Sequence, residues 1–147
     1  MGDLSKNFNA GEFACRCGCG LDSISAAVVV SMQAIRDEAG AAVTVVSGLR
    51  CRYRNAAVSS VKGEPPYVIG WLGDPSASDH TRGEAVDFMI SGFSRDKTFE
   101  LLKAMYAAGE LPFLRYCYRI KHDAKTNVHC SFGGKKRKLV FDEGIHH

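Results

Sequence analysis

Apolar residues recur at helical spacing in two parts of the chain and in short β-branched or alternating runs elsewhere. Val28, Met32, Ile35 and Ala39 fall on one face of a 3.6-residue repeat. Ser25 stands ahead of them as a cap and Gly40 behind them as a stop, which predicts a helix from Ser25 to about Ala39. Phe99, Leu102, Met105 and Tyr106 repeat the pattern after Ser94, predicting a second helix through Ala108. Ala42 to Val46 is short and β-branched, as a buried strand is, and it ends at Ser47-Gly48. Leu49 to Ser59 reads as a short helix or turn, and Lys62 to Pro75, with three prolines and three glycines, as a loop. Glu84 to Ile90 is a further strand. Phe113 to Ile120, Asn127 to Phe132 and Arg137 to Phe141 complete the set, the last two joined across Gly133-Gly134 as a hairpin. Helices and strands in this order predict one α+β domain over residues 1–147. Its sheet is expected to be antiparallel with the helices on one side, and the segment 8–20 packed on it.

Composition narrows the class. A chain of 147 residues can bury a real core, and 46% hydrophobic with 24% charged residues is the balance of a globular protein rather than a disordered one. The net charge of +3 is spread out except at Lys135-Lys136-Arg137-Lys138, which reads as a solvated basic turn. No basic–aromatic interleaving supports nucleic-acid binding, and none is expected. The apolar run Ala26 to Val30 is too short to span a bilayer, so no membrane association is expected. Met1 to Lys6 shows no secretion signal, which makes the expected product cytoplasmic as synthesised.

Candidate chemistry concentrates in Ser78-Asp79-His80-Thr81-Arg82-Gly83-Glu84-Ala85-Val86-Asp87. An imidazole and a carboxylate flank a glycine that permits a turn into the strand, and the small Ala85 shares the strand face of Asp87. A second imidazole, His129, alternates with Val128, Cys130 and Phe132; those apolar neighbours belong in the core, so His129 faces a polar cleft. Two histidines and one carboxylate leave the fourth zinc position open, as a catalytic site requires. A surface histidine and a hydrogen-bonding aspartate would fit the spacing alone. An aspartate inside an apolar strand favours the metal, because a buried carboxylate needs a cation or several donors.

Six cysteines leave alternatives open: Cys15, Cys17 and Cys19 could bridge to Cys51, hold a thiolate zinc site, or stay reduced.

The pattern S-x-H-x-x-G-x-A-x-D, filled by Ser78, His80, Gly83, Ala85 and Asp87, resembles the zinc-site motif of the D-Ala-D-Ala carboxypeptidase family, which includes phage endolysins. Ser47-Gly48-Leu49-Arg50, followed by Asn55, resembles that family's S-G-x-R segment, and Phe8 to Gly20 the cysteine-rich start of phage and prophage members. The resemblance implies a hedgehog-like peptidase fold and one zinc held by His80, Asp87 and His129. The implied activity is hydrolysis of a peptide bond in peptidoglycan stems by a metal-bound water. Arg50 would contact the substrate carbonyl or carboxylate, and Ser78, Tyr67 and Trp71 would line the substrate cleft. A monomer acting on a cell-wall peptide, reached by phage-mediated release rather than by its own signal, is the expected setting. One position departs from the family pattern. Thr126 stands where many members carry an acidic general base, so that role falls to Asp123 or His122. Glu84 has the wrong strand parity. The same departure keeps open a second reading, a zinc-containing module or phage component that binds cell wall without cutting it.

Overall fold

The computed structural model describes residues 2–16, 24–50, 79–121, 125–133 and 139–146. Expectations that fall on Cys17, Cys19, Cys51, Asn55, Tyr67, Trp71, Ser78, His122 and Asp123, on the loop 62–75, on the basic run 135–138 and on His147 lie outside them.

A short first helix, α1 (Ala10–Phe13), has Glu12 accepting from the Asn9 backbone N–H at 2.7 Å. The next, α2 (Ala26–Ala39), begins where Ser25 accepts from Ala27 N and ends at Gly40, whose φ of 64° is left-handed. The third, α3 (Arg95–Ala107), is capped by Ser94, which accepts from Lys97 N. Both longer helices thus begin and end within a residue or so of the expected bounds.

Five strands form one sheet: β1 (Val43–Ser47), β2 (Ala85–Ile90), β3 (Tyr116–Ile120), β4 (Val128–Ser131) and β5 (Phe141–His146), in the spatial order β1-β2-β4-β3-β5. The helices send Val28, Met32, Ile35, Phe99, Leu102 and Met105 into the core that Val43, Val45, Val86, Phe88, Ile90, Cys117, Val128 and Cys130 build from the strands. Alternation along each strand puts these apolar residues on one face and leaves the other for polar groups. Phe8 and Phe13 join the core with ring centroids 5.7 Å apart, anchoring the N-terminal segment. The architecture is α+β. Among the described residues no helix is long and apolar enough to cross a membrane.

The sheet corrects the expectation at its C-terminal end. It is mixed rather than antiparallel, because β5 runs parallel to β3 while the other pairings are antiparallel. Gly134 and residues 135–138 of the expected hairpin lie outside the described residues; among those described, the neighbours of β4 are β2 and β3, and β5 lies at the far edge. Gly133 serves another purpose. A Cβ there would lie 2.7 Å from a Glu84 carboxylate oxygen, so the glycine permits that close approach. The third strand starts at Tyr116 rather than Phe113, which is exposed in a turn, and the last starts at Phe141 instead of ending there.

Candidate metal centre

A single lateral row of side chains crosses the polar face of the sheet. Ser47 is the Cα partner of Asp87, Asp87 of His129, His129 of Tyr118 and Tyr118 of Asp142. A bulge between Val45 and Ser47 creates the first of these pairings. Bulges re-aim side chains in this way beside functional sites. His80 comes from a 3-10 turn, Asp79–Arg82, that leads into β2. Gly83 follows with φ 68°, the left-handed conformation that lets the chain reverse, and its carbonyl accepts from Ser25 N at 2.9 Å.

Together these elements bring the three expected donors to one point. His129 Nδ1 lies 2.8 Å from Asp87 Oδ1, His80 Nε2 lies 3.2 Å from the same oxygen, and the two nitrogens are 3.3 Å apart. All three residues are buried. The group could bind a metal ion.

The outer partners fix which atoms point inward. His80 Nδ1 is 2.7 Å from the Gly48 carbonyl. A carbonyl only accepts, so Nδ1 carries the proton and the Nε2 lone pair is turned toward Asp87 and His129. His129 Nε2 is 3.0 Å from Ser131 Oγ, a hydroxyl that can accept from Nε2–H and so free Nδ1 for a metal. Asp87 divides its oxygens: Oδ1 faces the imidazoles, while Oδ2 accepts from Arg50 Nη2 at 3.0 Å. Arg50 Nε donates in turn to Ser47 Oγ at 3.0 Å.

Electrostatics agree with that geometry. In the metal-free protein burial by itself would raise the Asp87 carboxyl, but the His129 and His80 rings that face its Oδ1 outweigh burial and hold it well below the usual carboxylate range. Burial depresses the His129 imidazole, with the Asp87 bond opposing. An ionised carboxylate and a neutral imidazole are the protonation states a metal requires.

The S-G-x-R segment now has a structural account. Ser47 orients Arg50, Gly48 lends its carbonyl to His80, and Arg50 holds the second oxygen of Asp87. Glycine is needed at position 48 because a Cβ there would meet the Phe13 carbonyl oxygen at 2.7 Å and its Cα at 2.8 Å. Thr126 sits half-buried and donates to Asn127 Oδ1 at 3.1 Å. Glu84 lies by Arg82, 3.6 Å from its Nε.

Several neighbours escape the sequence reading. Tyr118 stacks on His129, centroids 4.6 Å apart and planes 18° from parallel, and His146 meets the edge of Tyr118 at 5.5 Å. Asp142 accepts from Tyr116 Oη at 2.9 Å and lies 3.0 Å from His146 Nε2. These bonds, that from His146 foremost, lower its carboxyl to about 2. His146 is part of β5 and of this polar face. Parity with Cys117 could have flagged the two tyrosines; nothing local marks Asp142 or His146.

Ser131 offers a sharp test of the tautomer argument. Ser131→Ala should keep the fold and weaken metal binding about 10- to 100-fold, the usual cost of losing a ligand's hydrogen-bond partner. Titration of the metal-free protein with divalent ions measures this. Unchanged affinity would mean that Ser131 does not set the state of His129.

Comparison with protein-family models, with curated proteins and with solved structures found no match.

Proposed function

We propose that this centre holds one zinc ion and that the protein hydrolyses a peptide bond in peptidoglycan stem peptides, as a D,D-carboxypeptidase or endopeptidase. The observation that carries the reading is the convergence of two imidazole nitrogens and one carboxylate oxygen, 2.8 to 3.3 Å apart, each oriented from behind by another group. A tetrahedral ion about 2.0–2.1 Å from each donor separates its ligands by roughly 3.3 Å, so the donors fit with little movement. Two histidines and one carboxylate are also the donor set of hydrolytic zinc sites, whose fourth position stays open. When bound, zinc would supply an activated water and polarise the scissile carbonyl.

The chain's own residues supply the rest. Arg50, steadied by Ser47 and Asp87, stands beside the donors, where a guanidinium can hold a substrate carboxylate or a developing oxyanion. Asp123 is assigned as proton acceptor, with His122 as its substitute; both belong to the connection between β3 and β4. Ser78, Tyr67 and Trp71 are assigned to substrate binding on the strength of the sequence alone. The protein acts as a monomer.

A second reading, a zinc-containing module that grips cell wall without cutting it, draws on Thr126, which carries no carboxylate and whose hydroxyl is directed at Asn127. One experiment separates the two. Purified peptidoglycan is incubated with zinc-loaded protein, with chelated protein and with Asp123→Asn, and the fragments are read by mass spectrometry. Hydrolysis predicts shortened or uncrosslinked stems from the zinc-loaded protein alone, with Asp123→Asn slower by about a hundredfold or more. Intact stems together with co-sedimentation of the protein would establish the binding module instead.

A further inference from the structure

Behind the metal centre, on the core face of the same two strands, Cys117 of β3 and Cys130 of β4 are Cα partners. Their sulfurs are 3.6 Å apart, with the Cys130 thiol directed at Cys117. Both are free thiols and fully buried. The Cys117 backbone N–H donates to Val140 O at 2.7 Å, on the β5 side, so its rung with Cys130 is of the non-hydrogen-bonded kind. Such rungs bring opposed Cα atoms to about 4.5 Å, with the side chains close together. That separation lies inside the range of about 4.4–6.8 Å that disulfides span. Drawing the sulfurs to a bond of about 2.05 Å therefore takes side-chain rotation, with the strand register kept.

We infer that Cys117 and Cys130 are a modification site that closes to a disulfide when the chain folds in the presence of a disulfide oxidant, which ties β3 to β4 directly behind His129. This stands apart from the hydrolase reading, since the geometry is the same whether or not the centre cuts a peptide. Timing follows from burial: an external oxidant reaches these sulfurs before the core closes over them. The oxidant is a disulfide, either glutathione disulfide or that of an oxidoreductase. One cysteine thiolate attacks a sulfur of that disulfide, forming a mixed disulfide and releasing one thiolate. The second cysteine thiolate then attacks the protein-side sulfur and releases the other thiolate. Two protons leave the cysteines, and their two electrons reduce the oxidant to two thiols.

The link would act on the centre through its neighbours. Cys130 lies between His129 and Ser131, and Cys117 between Tyr116 and Tyr118, whose ring stacks on His129. A covalent rung here fixes the spacing of the strand that carries the third donor against the strand that packs on it.

The test is a thiol map of the full-length protein. The reduced, denatured chain is refolded either in excess glutathione disulfide or in reduced glutathione alone. Remaining thiols are alkylated, and the digest is read by mass spectrometry, which distinguishes this pair from any link among Cys15, Cys17, Cys19 and Cys51. The linked 117–130 peptide should dominate after oxidising refolding. The oxidised protein should melt about 10 °C above the reduced one. That difference should shrink in the Cys117→Ala, Cys130→Ala double variant, which retains the other four cysteines. Mapping the wild-type protein after export into an oxidising periplasm gives the same readout without refolding. Folded protein from the oxidising arm in which Cys117 and Cys130 both carry the alkyl label, or are joined to other cysteines, overturns the inference.

Discussion

Replacing His129 with alanine should strip the purified protein of its metal and erase the thermal stabilisation that the metal confers. The three donors converge within 3.3 Å of one another, and His129 alone is shared between Asp87 on one ring nitrogen and Ser131 on the other. A ligand that binds only the folded state stabilises it by RT ln(1 + [L]/Kd), which is about 2.7 kcal/mol at a hundred times Kd and about 4.1 at a thousand times. For a domain of this length that is a rise in Tm of about 10 °C on adding zinc to the metal-free wild type. His129→Ala should show almost none of that rise. The variant also loses a buried hydrogen bond to Asp87, so its metal-free Tm will itself be lower. The comparison that decides is therefore the zinc-induced shift within each protein, together with zinc content by elemental analysis. A full equivalent of tightly held zinc in His129→Ala would show that the third donor lies elsewhere.

The convergence of His80, Asp87 and His129, a group that could bind a metal ion, was legible because its signals are local. The S-x-H-x-x-G-x-A-x-D stretch places His80 and Asp87 within one turn and one strand, and the apolar neighbours of His129 fix its face by parity alone. Caps did the same for the helices: Ser25, Gly40 and Ser94 each sit where the observed element begins or ends. The misreadings are nonlocal. Gly133-Gly134 resembles a hairpin turn, yet the choice of β5 to pair with β3 is made across the sheet by packing of Phe141 on Phe99 and Tyr106, at centroid distances of 5.5 and 5.6 Å. Phe141–His146 shows no apolar alternation that would announce a strand. Its polar residues, Asp142 and His146, thereby enter the sheet face that carries the centre with no warning in the sequence.

Arg50 shows how the same limit touches function. The motif assigns it to substrate, whereas the structure gives its guanidinium partners within the chain, among them Ser47 Oγ and Asp87 Oδ2, each at 3.0 Å. The bulge after Val45, which sets Ser47 opposite Asp87, creates this arrangement and could not be read from residue spacing. The two roles are compatible, and both depend on a planar fork whose donors are held in fixed directions. Lysine has a single compact ammonium and cannot reproduce it.

Arg50→Lys should therefore have two separable effects. Metal affinity should fall by about 10- to 100-fold, because Asp87 loses the group that orients its outer oxygen. At saturating zinc, kcat/KM on a stem peptide should still fall by about a hundredfold or more, the scale of losing one well-placed donor to a developing oxyanion. A zinc titration of the variant measures the first effect, and peptide cleavage at excess zinc isolates the second. Recovery of full activity at saturating zinc would confine Arg50 to holding Asp87, and the contact with substrate would then belong to another residue.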